Sequence, residues 1–423
     1  MLVEFSVKNF LSFRDEVTLS MEKGIGDEAI ENVFKCSDVD LLKIAAIYGA
    51  NASGKSNLLK AFTTAIMMVR NSNVIPVDGK WMFLKPFLFD SENKNKPSEF
   101  KFVFMINKTK YVYKFSADIN KIHTESLDVY YSQKPTNIFS RIKTNEYTYN
   151  KNDKIMLESI ESRNTNNKLF LATATTWNYE KTRDVFLWFS KSIDVHNSFE
   201  EIADYDLIEY SNNEKELKDF SLKLLRESDI DIKDINVDYE EKEMDSTMVD
   251  MFIPPLARTN QNYKVKNVKI EIEHEVRDAN NNINTYKLDF YDESSGTRAL
   301  FALAPFLKRA FEKEKIIIVD ELERSLHPSL IEFIIKLFNS KKINKVNSQL
   351  IFTTHATNLL NLELLRRDQI WFTEKNSANG VSDLYPLDSF AVRKDENIQK
   401  GYINGRYGAI PFIKDVDLWL DHK

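Results

Sequence analysis

Residues 49–56 read Gly-Ala-Asn-Ala-Ser-Gly-Lys-Ser, and their flanks fix how a chain can fold around them. Before the first glycine, Leu41 to Tyr48 is almost wholly apolar, which reads as a strand buried on both faces. After the serine, Leu58, Leu59, Phe62, Ile66 and Met67 recur at helical spacing. A buried strand turning through two glycines into an amphipathic helix is the setting in which GxxxxGK(S/T) binds phosphate. The glycines let successive backbone N–H groups converge on one point, and the following helix adds the positive end of its dipole. An ordinary strand–helix turn needs neither Lys55 nor Ser56 at those places. The spacing predicts a nucleoside triphosphate site made by Gly49, Asn51, Ala52, Ser53, Gly54, Lys55, Ser56 and Asn57. Within it Lys55 reaches the β- and γ-phosphates and Ser56 ligates Mg2+.

Ile316 to Val319 is a second short apolar run, ending in Asp320-Glu321. A buried parallel strand delivers its last residues to the crevice where ligands sit. Asp320 is then placed to hold the metal, directly or through water, and Glu321, on the other side of the pleat, to polarise an attacking water. Alone, an acid after a strand is more often a helix cap or a solvated turn; the phosphate loop in the same chain makes the catalytic reading the stronger. Lys55 and Asp320 lie 265 residues apart, so the core must carry a large insertion, from about Thr64 to Thr285.

Glu293-Ser294-Ser295-Gly296-Thr297-Arg298 opens an amphipathic helix whose serines are good caps, with free N–H groups that form a second anion site. Ser325-Leu326-His327-Pro328 follows the acidic pair, and a strand at Gln349 to Thr353 leads into Thr354-His355, an imidazole that can donate to a γ-phosphate. Within the insertion, Phe100–Ile106 and Lys110–Phe115 flank Asn107-Lys108-Thr109 as a hairpin, as do Val265–Glu275 and Ile283–Phe290 around Asp278. Ile155 to Leu225 has helical spacing. Ten acids and two lysines between Glu227 and Asp250 read as a solvated loop or sheet edge. The fold class is therefore α/β, a P-loop core sheet with flanking helices, an antiparallel β subdomain and a helical insertion. Its expected divisions are residues 1–150, 151–255 and 256–423. A net charge of −6 argues against nonspecific coating of nucleic acid, and the single Cys36 fits a reducing cytoplasm. No apolar stretch approaches the ~20 residues that span a bilayer.

The order of these motifs resembles the ATPase head of the ABC superfamily, most nearly its SMC, RecF and OLD branch, as does the opening Val7-Lys8-Asn9-Phe10-Leu11-Ser12-Phe13. Within that branch it is similar to the AAA/ABC-type ATPases of prokaryotic abortive-infection, anti-phage systems. Asp320-Glu321-Leu322-Glu323, Leu326-His327-Pro328, Thr354 to Leu360 and the terminal Gly405-Arg406-Tyr407-Gly408-Ala409-Ile410-Pro411-Phe412 carry that likeness. It departs at Ser295, where many ABC proteins have Gly, and at Thr297, where Gln or Glu is common. No Q-loop glutamine stands out, and Pro305 falls inside the signature helix, where it should kink the helix or start a new turn.

The resemblance implies an ABC-type head. Lys55, Ser56, Asp320, Glu321 and His355 come from one protomer, with Glu321 the hydrolytic base and His355 the switch histidine. Ser294, Ser295 and Gly296, the signature, come from a second. ATP with Mg2+ would then join two heads, and hydrolysis would release them. Only 68 residues follow His355, too few for the metal-binding nuclease of OLD-like proteins, so the expected partner is a separate effector, a nuclease or toxin. The competing expectation is a RecF-like DNA-repair ATPase that binds DNA directly through Lys264, Lys266 and Lys269 or through Lys341, Lys342 and Lys345. A self-contained kinase would need an acceptor pocket and a lid, and neither is evident.

Overall fold

The apolar runs become strands in the computed structural model, which describes residues 1–196, 210, 214–243, 264–393 and 396–411. In chain order the strands are β1 (Leu2–Lys8), β2 (Val17–Ser20), β3 (Val33–Cys36), β4 (Val39–Leu42) and β5 (Ile44–Tyr48), followed by helix α1 (Lys55–Asn71). Next come β6 (Ser98–Ile106), β7 (Thr109–Ala117), β8 (Ile122–Tyr130), β9 (Thr136–Lys143) and β10 (Glu146–Tyr149), then α2 (Lys154–Glu161), α3 (Phe170–Thr176), α4 (Glu180–Leu187) and β11 (Ile193–His196). Beyond these lie α5 (Glu214–Glu227), β12 (Asp234–Glu243), β13 (Lys264–Arg277), β14 (Ile283–Asp289) and α6 (Ser295–Glu312). The chain ends with β15 (Ile316–Val319), α7 (Pro328–Asn339), β16 (Gln349–Thr353), β17 (Ile370–Lys375), β18 (Ser382–Pro386) and α8 (Ile398–Ile403).

Two compact units result: Met1–Ser198 with Ala310–Glu323 and Ile331–Lys423, and Phe199–Arg309 with Arg324–Leu330. In the first, a six-stranded sheet runs β11-β15-β16-β5-β17-β18. All its neighbours are parallel except β17 and β18. Every residue of β5, β15 and β16 is buried, as expected of parallel strands covered on both faces. The other large sheet is antiparallel, in the order β10-β9-β8-β7-β6-β1-β2. Its β6–β7 hairpin turns on Asn107 and Lys108, both left-handed (φ 48° and 67°), the geometry that suits a two-residue turn. Helix α1 presents Phe62 to this sheet, stacked on Phe5 with ring centroids 3.7 Å apart, and Phe102 packs against Phe5, Phe62 and Phe189. Each such ring contributes about 1.5–3 kcal/mol by leaving water.

One side chain splices the two sheets. Buried Gln349, the first residue of β16, accepts from the Leu2 N–H (2.7 Å) and donates to the carbonyls of Leu2 and Leu42 (3.0 and 3.1 Å). Its amide stands in for a residue of a neighbouring strand. Nearby, the run expected as one strand from Leu41 to Tyr48 is interrupted. Lys43 is buried between β4 and β5, and its ammonium donates to the carbonyls of Glu31 (3.0 Å) and Asn339 (2.8 Å). A lysine cannot leave its charge unpaired in the core, and these two carbonyls receive it. The stretch expected to be helical from Ile155 also hides β11, an edge strand paired with β15.

In the second unit β12, β13 and β14 form an antiparallel sheet, with the acidic β12 at one edge, the place its composition suggested. Residues 244–250 of that acidic segment lie outside the described residues. Helix α6 runs on through Pro305. The proline has no N–H to give the Phe301 carbonyl; the Tyr210 hydroxyl, bonded to Ser221 Oγ at 2.7 Å, lies 3.5 Å from that carbonyl. Among the described residues no helix is long and apolar enough to cross a membrane.

Candidate nucleotide site

Three adjacent strands, β15, β16 and β5, end at the same edge of the parallel sheet and bring Asp320, His355 and the 49–56 loop together. The loop is shaped by what presses on it. A Cβ on Gly49 would sit 2.5 Å from the Thr373 carbonyl, and Gly54 has φ 127° with Ser382 Oγ 2.8 Å from where its Cβ would be. Only glycine fits either place. Ser382 Oγ donates to the Ser53 carbonyl (2.6 Å), and the Ser53 and Thr373 hydroxyls bond each other at 2.6 Å. Strands β17 and β18 thus clamp the loop from outside. Asn57 donates to Ser12 Oγ (2.8 Å), tying α1 to the opening segment, while Asn51 and Ala52 face solvent.

At its N-terminal end α1 has no side-chain cap. Its first N–H groups are free to receive an anion. Lys55 is buried, and its ammonium bridges the carbonyls of Gly49 (2.7 Å) and Ala50 (3.2 Å). Burial lowers its pKa, opposed by the charges of Glu321, Glu323 and Asp320 in that order. His355 is likewise pushed below the usual imidazole range, by burial first and then by Lys55, against the pull of Glu323, Glu321 and Asp320. These mutual influences show that the acidic turn, Lys55 and His355 share one electrostatic field. Ser56 and Asp320 line a single groove of about 750 Å³ with Phe10, Asn57 and Lys60.

Beyond β15 the chain turns sharply at Glu321, which is left-handed (φ 50°). Three bonds fasten this turn to β16. The Glu321 N–H donates to Thr353 Oγ1 (2.7 Å), that hydroxyl donates to Asp320 Oδ1 (2.6 Å), and the Leu322 N–H donates to the Thr353 carbonyl (3.1 Å). Further along, the His355 N–H donates to Glu323 Oε1. Sequence reasoning named Thr353 and Glu323 only as parts of motifs. A hydroxyl at the end of a fully buried strand, and a second acid after the pair, were the signals for both.

The serine-capped helix and the Ser325–His327 turn belong to the second unit. Ser294 Oγ accepts from the Thr297 N–H at 3.1 Å, so Ser294 is the cap and Ser295 the first helical residue. Behind the cap, Glu293 meets His274 of β13 at 2.6 Å. The Ser325 carbonyl lies 3.2 Å from where a Gly296 Cβ would be, so the two motifs touch within this unit.

No curated protein matches the chain in sequence. Among solved structures it is similar to the SMC head domain from Thermotoga maritima, at 16% identity and a TM-score of 0.41, over 91% of this chain and 98% of that one. It is also similar to the SmcHead in a crystal structure with the C-winged helix domain of ScpA, at 13% identity and a TM-score of 0.39, over 91% and 97%. A family model for the AAA domain of AbiEii-toxin type, described with type IV toxin–antitoxin systems, matches residues 44–361. That span is well over half of the chain and holds every motif from Gly49 to His355. The chain belongs to this AAA-domain family of P-loop ATPases.

Proposed function

We propose that the chain is a Mg2+-dependent ATPase switch whose nucleotide site is completed by a second copy, and whose engaged state controls a separate effector, a nuclease or toxin, in anti-phage abortive infection. The observation that carries the reading is the convergence of Lys55, Ser56, Asp320, Glu321 and His355 at the ends of three adjacent parallel strands, below a helix whose N-terminus has no protein cap. Lys55 would leave the carbonyls of Gly49 and Ala50 for the β- and γ-phosphates of ATP. The Ser56 hydroxyl and the Asp320 carboxylate line one groove, and they are the hard oxygen donors Mg2+ takes alongside phosphate oxygens and waters. Ser56 and Asp320 would hold the ion, which supplies charge neutralisation between the phosphates. Glu321 would orient and deprotonate the attacking water, and His355 would donate to the γ-phosphate while neutral on its other nitrogen.

Ser294, Ser295 and Gly296 would serve the ATP of a neighbouring copy through the first-turn N–H groups that the Ser294 cap does not engage. ATP then holds two heads together because its γ-phosphate is met from both sides, and hydrolysis removes that shared charge. Such a device acts by favouring one of two states, which is what controlling an effector requires. The DNA-repair alternative rests on surface lysines. Lys269 is engaged by Glu271 at 2.7 Å and lies opposite Asp238 in the sheet, so no observation favours it.

Light scattering tests the reading. The Glu321→Gln protein should double in mass on adding ATP and Mg2+, and the Lys55→Ala protein should not change. A Glu321→Gln mass that ATP leaves untouched would overturn the two-copy site.

A further inference from the structure

Two buried polar atoms beside the site lack partners among the described residues: Glu323 Oε2 and the Tyr48 hydroxyl. One is an acceptor and the other a donor, and each left alone costs free energy. They also feel each other. The Tyr48 phenol is held protonated, well above its usual range, by burial first and by the Glu323 charge next. Tyr48 is the last residue of β5, directly before Gly49. Its ring is boxed by Phe372 and Tyr402, with centroids 6.2 and 6.1 Å away, so it has no route to solvent. Glu323 is tethered at its other oxygen by the His355 N–H, and the neighbouring Thr354 N–H is tied to the Ile47 carbonyl of β5 at 3.0 Å.

The ends of β15, β16 and β5 are thus already fastened to one another, and among the described residues the Tyr48 hydroxyl and Glu323 Oε2 are left beside them without partners. We propose that Glu323 is a positioning residue that sets the backbone of His355, and that the Tyr48 hydroxyl becomes its second donor when nucleotide draws the phosphate loop and the acidic turn together. The Tyr48–Glu323 bond would then report an occupied loop to the switch histidine. This rests on the ATPase reading for its nucleotide step only. The tie between Glu323 and His355 stands without it.

The test has two arms. Without nucleotide, amide hydrogen exchange in the segment holding His355 should speed up by about tenfold in Glu323→Ala, and Glu323→Gln, which keeps an acceptor, should restore most of the protection. With Mg2+ and ATP, Tyr48→Phe should lower kcat by about tenfold with KM nearly unchanged, the pattern of a lost positioning contact. Its melting temperature without nucleotide should equal or exceed that of wild type, because an unpaired hydroxyl has been removed, while the rise caused by ATP should shrink. Adding Glu323→Gln to Tyr48→Phe should cost no more than the worse single change, as expected for two ends of one bond. Unchanged exchange at His355 in Glu323→Ala would overturn the tie. Wild-type kcat together with a full ATP-induced rise in Tyr48→Phe would overturn the second bond. A wild-type protein that ATP does not stabilise at all would instead sink the ATPase reading and the tyrosine step with it, leaving the exchange arm to decide Glu323.

Discussion

Thr353 shows how much geometry one hydroxyl can hold. It is fully buried, accepts from the Glu321 N–H and donates to Asp320, so it fixes both members of the acidic pair relative to β16. Thr353→Val keeps the shape but strands one donor and one acceptor. Its expected cost is about 1–3 kcal/mol in urea unfolding, with a fall in kcat larger than any change in KM. Lys43 gives a prediction in pH. Burial, with Lys341 nearby, brings its pKa down to about 8 from an ordinary 10.5. Between those values the unfolded chain holds the proton and the folded one does not, so this residue adds stability as pH rises from about 8 to 10.5. Wild type should gain on Lys43→Met across that window when their unfolding midpoints are compared. A constant difference between the two would show that the lysine is not buried as described.

At the scale of elements, the helical segment is anchored to the antiparallel sheet by a buried carboxylate. Glu125 of β8 accepts from the Phe170 N–H (2.6 Å), the Leu171 N–H (2.8 Å) and the Tyr113 hydroxyl (2.9 Å), capping α3. Burial pushes its pKa up, against the Arg141 charge and these three donors. Glu125→Gln would turn an amide N–H towards one of these donors, a loss of about 1–3 kcal/mol measurable by thermal or urea unfolding. Nothing local in the sequence announced this network, because Glu125 and the Leu171 N–H it accepts from lie 46 residues apart. The same reason hid β11, whose Ile193-Asp194-Val195-His196 has two apolar residues and gains its strand identity only by pairing with β15. The strand–loop–helix around Gly49 to Ser56, the strand that ends before Asp320 and both hairpins were legible because their signals are contiguous: an apolar run ended by glycines, a carboxylate after four aliphatics, alternation on both sides of a turn. Lys43 was visible as a charge in an apolar run, but the carbonyls of Glu31 and Asn339 that receive it are acceptors no local pattern reveals.

For the whole molecule, the proposed sharing of the site between copies makes a quantitative forecast. On that proposal Lys55→Ala would remove one half of each site and Ser294→Arg the other, so each protein alone should be inactive. In an equal mixture half of the dimers are mixed and each of those holds one intact site, giving about a quarter of wild-type ATPase activity for a symmetric two-copy assembly. A mixture as inactive as its parts would mean that both residues serve the same bound nucleotide.

Gln349 begins the strand that ends at Thr353, and its amide grips the backbone of Leu2 in the other sheet. An extended strand resists compression, and five residues span roughly 17 Å. Force applied to the antiparallel sheet would therefore arrive at the histidine as a push or pull along β16, like load along a rod. A binding event at the antiparallel sheet would by this route reach the proposed nucleotide site without touching any of its residues.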